Sequence, residues 1–273
     1  MWYRQSEQSA GKWRIYSLWL VYRVLGKWAV QLVLWPVFAF IYPWCRTARA
    51  AISDYYRILG VQPRSFRHLL GFAQQMMDKT DACTLAKNPP LIEVKGDAGW
   101  DKGAFLVSTH LGTIEVLPAL ARKGVKVPHV HAFQQLSHDA VFTGLFLRHL
   151  GNCFTLHAVE DIGVETAVEM KEAIARGDLV LMAGDRLSAG GSAALKHDFL
   201  GHTCSFPKGV FVFARLMEAP VYAITCVKTG FNAYEVHVKR LAGDLLDDYV
   251  RFLESEVRRY PYQWFQFYDF FDT

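Results

Sequence analysis

Several short motifs that define common enzyme classes are missing from this sequence. The chain has no Gly-x-Ser-x-Gly elbow, so a serine hydrolase of the α/β type is not expected. The pair Gly190-Gly191 is not followed by Gly-Lys-Ser/Thr, which excludes the common phosphate-binding loop. The five cysteines are widely spaced and form no Cys-x-x-Cys pair, which indicates reduced residues in a protein that faces the cytosol. None has a neighbour that would activate it as a nucleophile; they are Cys45, Cys83, Cys153, Cys204 and Cys226.

The chain also has little excess charge and no long block of one sign. Its 30 lysines and arginines face 26 acidic residues, which gives a formal net charge of +4. This small positive net charge does not indicate nucleic-acid binding, but it suits contact with anionic lipid headgroups or an acidic carrier protein. No internal repeat or low-complexity linker divides the 273 residues, a length that suits one large α/β domain with an appendage.

Aromatic residues make up 14% of the chain and concentrate at its two ends. Residues 28–45 carry no charge and just reach the roughly 18–20 residues of a spanning helix. Gln31, Pro36 and Pro43 argue against a simple span, whereas the many Trp and Tyr side chains favour a bilayer interface. We predict that residues 1–47 are a helical membrane-associating segment that lies in or dips into the inner leaflet. A single span and a buried core hairpin are the alternatives, and the late apolar run without a cleavage site does not resemble a cleaved signal peptide.

Residues 48–273 are predicted to form one domain of α/β class, with a largely parallel central sheet covered by helices. Two helical segments fill residues 48–87, and strands and helices alternate from Leu91 onward. The predicted strands are Ile92–Lys95, Phe105–Ser108, Val127–Phe133, Cys153–Leu156, Leu179–Ala183, Val221–Val227 and Tyr234–Arg240. Helices are predicted after Glu115 and over Asp139–Leu150, Gly163–Arg176 and Leu245–Arg259.

The stretch Val107–Glu115 carries the strongest chemical signal. An apolar strand is predicted to end just before His110, at the sheet edge where ligands of open α/β sheets bind. Gly112 permits a turn that would bring Glu115 back to His110 at the start of a helix. A neutral imidazole backed by a carboxylate is a general base, so the spacing suggests a catalytic dyad. The alternative is a histidine at a strand end and a glutamate stabilised by the helix dipole.

Further short blocks follow the run His110-Leu111-Gly112-Thr113-Ile114-Glu115 in a fixed order. They are Leu181-Met182-Ala183-Gly184-Asp185-Arg186, Phe199-Leu200-Gly201, Ser205-Phe206-Pro207-Lys208-Gly209, Ala219-Pro220-Val221 and the aromatic ending Pro261–Phe271. Together they resemble the lysophospholipid acyltransferase superfamily, with its His-x4-Asp/Glu block. The His110–Glu115 block is most similar in form to that of the branch containing the bacterial lipid A lauroyl and myristoyl acyltransferases. The aromatic ending resembles that of a subgroup associated with aryl polyene type lipid gene clusters. Ala132–Gln135 lacks the arginine that many relatives carry in this block, and the aromatic ending with Asp269 differs from that of the lipid A enzymes; both differences leave the acceptor open.

The resemblance implies an acyltransferase that moves a fatty acyl chain from a thioester to a hydroxyl or amine of a lipid or glycolipid. Acyl carrier protein is the preferred donor, and acyl-CoA the alternative. No cofactor, metal or nucleic acid is implied, and the expected location is the cytoplasmic face of a bacterial inner membrane. His110 and Glu115 would be catalytic. Substrate would be bound by Thr113, Asp185, Arg186, Phe206, Pro207, Lys208 and Gly209.

Simpler interpretations stay open for these residues. Asp185 and Arg186 follow a predicted strand on the same edge as His110, where an arginine can hold a phosphate, but they also suit a turn-closing pair. The block 205–209 suits a plain helix start as well as an anion site. His129 and His131 would share one face of a strand, but the sequence places no third metal ligand. A thioesterase or lipid hydrolase with the same base, and a non-catalytic lipid-binding scaffold, are the alternative functions.

Overall fold

The computed structural model describes residues 12–83, 90–117, 128–135, 154–187 and 193–271. Seven strands form one sheet in the order β1-β9-β8-β2-β5-β3-β4, and β6 and β7 form a separate antiparallel hairpin. The strands are β1 Leu91–Gly96, β2 Ala104–Gly112, β3 Val130–Gln134, β4 Phe154–Ala158, β5 Leu179–Ala183, β6 Ala194–Phe199, β7 His202–Pro207, β8 Val221–Gly230 and β9 Ala233–Leu241. The helices are α1 Lys12–Ile41, α2 Arg46–Leu59, α3 Ser65–Cys83, α4 Val164–Ala175, α5 Lys208–Leu216 and α6 Leu245–Arg259.

Five neighbouring strands of the sheet, β4, β3, β5, β2 and β8, run parallel to one another. β9 is antiparallel to β8, and β1 is parallel to β9. The predicted α/β class with a mostly parallel central sheet is therefore confirmed. Because the central strands are parallel, their carboxyl ends lie along one edge, where side chains from separate parts of the chain meet.

The central strands are apolar because both faces of the sheet are covered. Phe105 and Val107 of β2 point into a core shared with α4, α5 and α6, whereas Leu106 points into a second core on the other face. All three are at most 1% exposed. Continuous apolar runs of this kind are typical of strands buried on both sides.

The predicted elements differ in part from those observed. The third predicted strand begins at Val130 instead of Val127, and the fourth is Phe154–Ala158. Residues 114–117, which include Glu115, form a short 3-10 turn just after β2, where a helix was predicted to start. The rest of that helix and the predicted helix Asp139–Leu150 lie outside the described residues.

The first helix is interrupted at Gly26, whose φ of 77° lies in the left-handed region that glycine tolerates. Residues 28–44 and α2 meet at a bend of 88°. Among the described residues no single helix is long and apolar enough to cross a membrane, although this bent pair passes on length and composition. The inner face of α1 packs through Phe38 on Phe66 of α3, while Trp28 stacks on Phe231. Its outer face is apolar and exposed.

Candidate active site

His110 lies at the carboxyl edge of the sheet, inside β2. The ladder between β2 and β5 ends at Ser108 and Ala183, and the register with β8 shifts between Ser108 and Gly112. The prediction that His110 follows the end of its strand is thus corrected, because β2 continues past β5 to Gly112. Gly112 has a φ of 74°, and a Cβ there would lie 1.9 Å from the Cys226 carbonyl oxygen, so only glycine fits.

The ring of His110 is held by Asp185, which follows the neighbouring strand β5. His110 Nδ1 lies 2.6 Å from Asp185 Oδ1, and the His110 backbone N-H donates to Asp185 Oδ2 at 2.7 Å. Gly184 makes this approach possible, because a Cβ there would lie 2.4 Å from Val107 Cγ1. The carboxylate is fully buried. Its burial would raise its pKa, but His110 and the indole of Trp264 outweigh burial and hold the pKa of Asp185 below its ordinary value.

Glu115 is bound to α3 and not to His110. Its Oε1 accepts a hydrogen bond from Lys79 Nζ at 2.6 Å, and no described residue links Glu115 to the imidazole by a hydrogen bond. The expected contact between His110 and Glu115 is therefore corrected. The carboxylate that contacts the imidazole is that of Asp185, which follows β5. Burial acts to raise the pKa of Glu115, but the ammonium of Lys79 outweighs it and keeps the pKa below its ordinary value.

The C-terminal segment closes the site from one side. Phe265 N donates to the His110 carbonyl oxygen at 2.9 Å, and Leu111 and Trp264 form an antiparallel bridge. Trp264 Nε1 donates to Asp185 Oδ2 at 3.1 Å. The aromatic ending predicted from sequence to pack on the domain or to rest on lipid thus forms part of the wall around His110.

Arg186 is oriented by the same segment. Its Nε and Nη2 donate to Gln266 Oε1, and Nη2 also donates to the carbonyl oxygen of Phe265. Gln266 Nε2 in turn donates to the Asp185 carbonyl oxygen, and the guanidinium lies 5.6 Å from the centre of the Tyr268 ring. Arg186 is therefore presented in a fixed orientation beside His110.

A cavity of about 230 Å³ lies against His110. Its polar walls include His110, Glu115, Lys79, Arg186 and Gln134. The apolar walls come from α3, from the sheet and from the C-terminal segment: Phe72, Met76, Ile114, Ala132, Phe133, Phe154, Leu156, Leu181, Phe265 and Phe267. One end of an elongated apolar ligand in this cavity would thus lie beside the imidazole and two cationic side chains.

The other predicted substrate-binding residues do not line this cavity. Thr113 is buried, and its hydroxyl donates to Gln75 Oε1 of α3 at 2.7 Å. Phe206 is buried among aromatic rings, and Pro207 is the residue before α5, which begins at Lys208. None of these residues, nor Gly209, is among the described residues that line the cavity. The helix start predicted at this block is observed, but Ser205 lies in β7 and does not cap it.

His129, just before β3, and His131, within β3, contact other side chains. His129 Nε2 lies 2.8 Å from the Thr155 hydroxyl, and His131 Nδ1 lies 3.1 Å from His157 Nε2. Within the described ranges, no group of three or more His, Cys, Asp or Glu residues is placed to hold a metal ion.

Two features of the site were not predicted from the sequence. Lys79 lies in a helix that carries an apolar stripe, and nothing in its spacing indicates a partner 36 residues away. Trp264 and Gln266 lie in an aromatic run without helical or strand periodicity. The packing of α3 and the path of the C-terminal segment along β2 bring these groups to the site.

Comparisons with known proteins find similarity among solved structures alone. No protein-family model matches the chain, and no curated protein matches it in sequence. Among solved structures it resembles the crystal structure of the 1-acyl-sn-glycerophosphate (LPA) acyltransferase PlsC from Thermotoga maritima. The identity is 13% and the TM-score 0.37, over 84% of this chain and 96% of that one.

Proposed function

We propose that the protein is an acyltransferase of the lysophospholipid acyltransferase superfamily. It would transfer a fatty acyl chain from an acyl thioester, preferably acyl carrier protein and otherwise acyl-CoA, to a hydroxyl or amine of a lipid or glycolipid. The branch of lipid A lauroyl and myristoyl acyltransferases, and the aryl polyene subgroup, are the proposed relatives. One observation supports the chemistry most directly: His110 borders an apolar cavity while a buried carboxylate, Asp185, binds its far side.

The tautomer of His110 follows from its partner. The lowered pKa of Asp185 keeps it ionised near neutral pH, so it only accepts hydrogen bonds and Nδ1 of His110 must carry the proton. Nε2 is then the basic nitrogen, and it makes no hydrogen bond with any residue that the structure describes. A base oriented in this way can take a proton from a bound hydroxyl or amine.

The reaction needs no covalent acyl-enzyme. The acceptor oxygen or nitrogen attacks the thioester carbonyl as its proton moves to Nε2 of His110. When the tetrahedral intermediate collapses, the C–S bond breaks and the imidazolium returns the proton to the leaving thiolate. Asp185 stabilises the imidazolium between these two steps.

Arg186 is the proposed cationic group for the developing oxyanion or for a phosphate of the donor or acceptor. Its guanidinium is fixed by Gln266 and Phe265, so little reorganisation is needed when negative charge develops beside it. Glu115 adds negative charge on the cavity side. Its attraction to a positively charged His110 helps to lower the pKa of Glu115 and so keeps the carboxylate ionised. Lys79 holds Glu115 in place. In this proposal Glu115 assists the base electrostatically, and Asp185 orients it.

The apolar walls are the proposed site of the acyl chain. Phe72 and Met76 of α3, Phe133 of the sheet and Phe267 of the C-terminal segment all line the cavity, and the rings of Phe72 and Phe267 are in contact, with centroids 5.0 Å apart. Burying methylene groups against such walls stabilises a bound chain by about 0.8 kcal/mol for each group.

Residues 1–47 are the proposed membrane contact. Leu32, Phe40 and Trp44 are each between 67% and 73% exposed on the outer face of α1 and the turn that follows, and Trp28 is 69% exposed although one side of its ring stacks on Phe231. An exposed apolar face rich in tryptophan suits the headgroup region, with the helix in the plane of the cytoplasmic leaflet of a bacterial inner membrane. A single span is the alternative.

Mass spectrometry of total lipids tests the proposed function. Cells that lack the gene are complemented with wild type, with His110→Ala or with His202→Ala, a matched change at an exposed histidine of β7. A lipid heavier by one acyl chain should appear with wild type and His202→Ala but not with His110→Ala. Equal restoration by His110→Ala would refute the general base and favour a lipid-binding scaffold. Release of free fatty acid without an acylated lipid, by the purified protein, would indicate a thioesterase or hydrolase.

A further inference from the structure

We propose that Trp264 is a positioning residue for the His110–Asp185 pair. Its indole N-H fixes the orientation of the Asp185 carboxylate and thereby the orientation and tautomer of the His110 imidazole. This proposal builds on the proposed function, in which His110 is the base. It adds that the C-terminal segment is part of the catalytic centre.

The hydrogen bonds that Asp185 accepts restrict the orientation of its carboxylate. Its Oδ1 faces the His110 ring, and its Oδ2 accepts from two donors, the His110 backbone N-H and the indole N-H of Trp264. Rotation of the carboxylate about its Cβ–Cγ bond would break the hydrogen bonds to His110, and each further donor raises the energy of that rotation. The second donor on Oδ2 opposes that rotation, so Oδ1 stays directed at Nδ1.

The indole is itself held rigidly. Trp264 is 1% exposed, and its ring lies among Tyr55, Phe199 and Phe270 at centroid distances of 5.0–5.4 Å. Its backbone is tied to the strand of His110 on both sides, since Gly112 N donates to the Gln263 carbonyl and Phe265 N donates to the His110 carbonyl. A buried indole N-H needs an acceptor, and the carboxylate of Asp185 supplies it.

A buried histidine on α3 supports the backbone of Trp264. His68 Nε2 lies 2.9 Å from the Trp264 carbonyl oxygen, which can only accept, so Nε2 carries the proton. Nδ1 of the neutral ring then accepts from the Tyr56 hydroxyl at 2.9 Å. Hydrogen bonds thus connect α2, α3, the C-terminal segment and the catalytic pair in one continuous series.

The test removes the indole N-H and leaves the ring. Trp264→Phe keeps an aromatic side chain in the core. Incorporation of benzothienylalanine at position 264 keeps the bicyclic shape and replaces N-H by sulfur, so it tests the same bond if the phenylalanine variant does not fold. The expected result for both is a loss in kcat of about tenfold or more, with KM changed less than twofold.

A spectroscopic measurement follows His110 without any substrate. The 15N chemical shifts of the imidazole, assigned with His110→Gln, report the fraction of the Nδ1-H tautomer. Loss of the indole N-H should lower that fraction and weaken the downfield signal of the Nδ1 proton. An unchanged His110 spectrum would overturn the proposal even if activity fell, because the loss would then be structural.

Tyr249→Phe is the matched control. The Tyr249 hydroxyl is buried beside Gly184 and donates to the Ser108 carbonyl oxygen at 2.9 Å, so this change also removes one hydrogen bond from the same core. It should leave kcat within about twofold and the His110 spectrum unchanged. Failure of the proposed function would appear as absence of acyl transfer by wild type. Failure of the positioning role would appear as an unchanged His110 spectrum in the position-264 variants.

Discussion

Asp185 Oδ1 lies 2.6 Å from His110 Nδ1, although 75 residues separate the two in the chain. The contact exists because β2 and β5 are neighbours in the sheet: β2 continues past its last pair with β5 at Ser108, and Asp185 lies two residues after Ala183, where β5 ends. The general base and the carboxylate that orients it therefore come from two strands, each of which is buried on both faces. That arrangement gives the imidazole a rigid support.

Asp185→Asn should nearly abolish activity. The two donors at Oδ2 would keep the amide oxygen on their side, so the amide NH₂ would face His110 Nδ1 and force the tautomer that carries its proton on Nε2. We expect kcat to fall by about 10³-fold or more, with little change in KM. Asp178→Asn, at the opposite end of β5, is the matched control and should retain wild-type kcat. More than a tenth of wild-type activity in Asp185→Asn would contradict the assignment.

The Lys79–Glu115 pair should behave as a coupled unit. Glu115→Gln removes the cavity-side charge and should lower kcat by roughly tenfold, less than Asp185→Asn, because Glu115 does not bind the imidazole. Lys79→Met leaves the partly buried carboxylate of Glu115 without its main stabilising charge, so the pKa of Glu115 should rise. A double-mutant cycle measured by urea unfolding should give a coupling energy of about 1–2 kcal/mol. Strictly additive effects of the two changes would show that the pair is not coupled.

The sheet and the location of His110 could be predicted from the sequence. Ala104–Val107 is apolar at every position because the strand is covered on both sides, and such a run identifies β2 without knowledge of its neighbours. The same reasoning places Asp185 on the edge that holds His110, since each lies at the carboxyl end of a buried parallel strand.

The partner of His110 could not be predicted in that way. Glu115 is close in sequence, and a turn at Gly112 would bring it back to the imidazole. The structure instead uses Gly112 to bring the chain against the Cys226 carbonyl oxygen, and Glu115 meets Lys79 of α3. Strand order and the path of the C-terminal segment decide the contact, and neither has a signal in local spacing.

His68 should make the protein sensitive to acid. Burial lowers the pKa of His68 to about 4, whereas the unfolded chain binds the proton near pH 6.5. Between these values the unfolded state holds more protons than the folded state, so the free energy of unfolding falls as the pH falls from about 6.5 to 4. The expected loss is on the order of 3 kcal/mol. His68→Gln keeps a donor for the Trp264 carbonyl and should lose less stability over this interval. The measurement is the fall in the urea midpoint between pH 6.5 and pH 4.5. An equal fall in wild type and in His68→Gln would contradict the role of His68.

The exposed face of α1 should bind lipid bilayers. Leu32 and Phe40 are 73% and 71% exposed, and full burial of such a side chain contributes about 1.5–3 kcal/mol. Leu32→Ser with Phe40→Ser should therefore lower the partition coefficient for anionic vesicles by at least about tenfold, even if insertion is partial. Val164→Ser with Val168→Ser removes two exposed apolar side chains from α4 and should leave vesicle binding unchanged. Cosedimentation with vesicles of phosphatidylglycerol and phosphatidylethanolamine measures both variants, and equal binding by the two would place the membrane contact elsewhere.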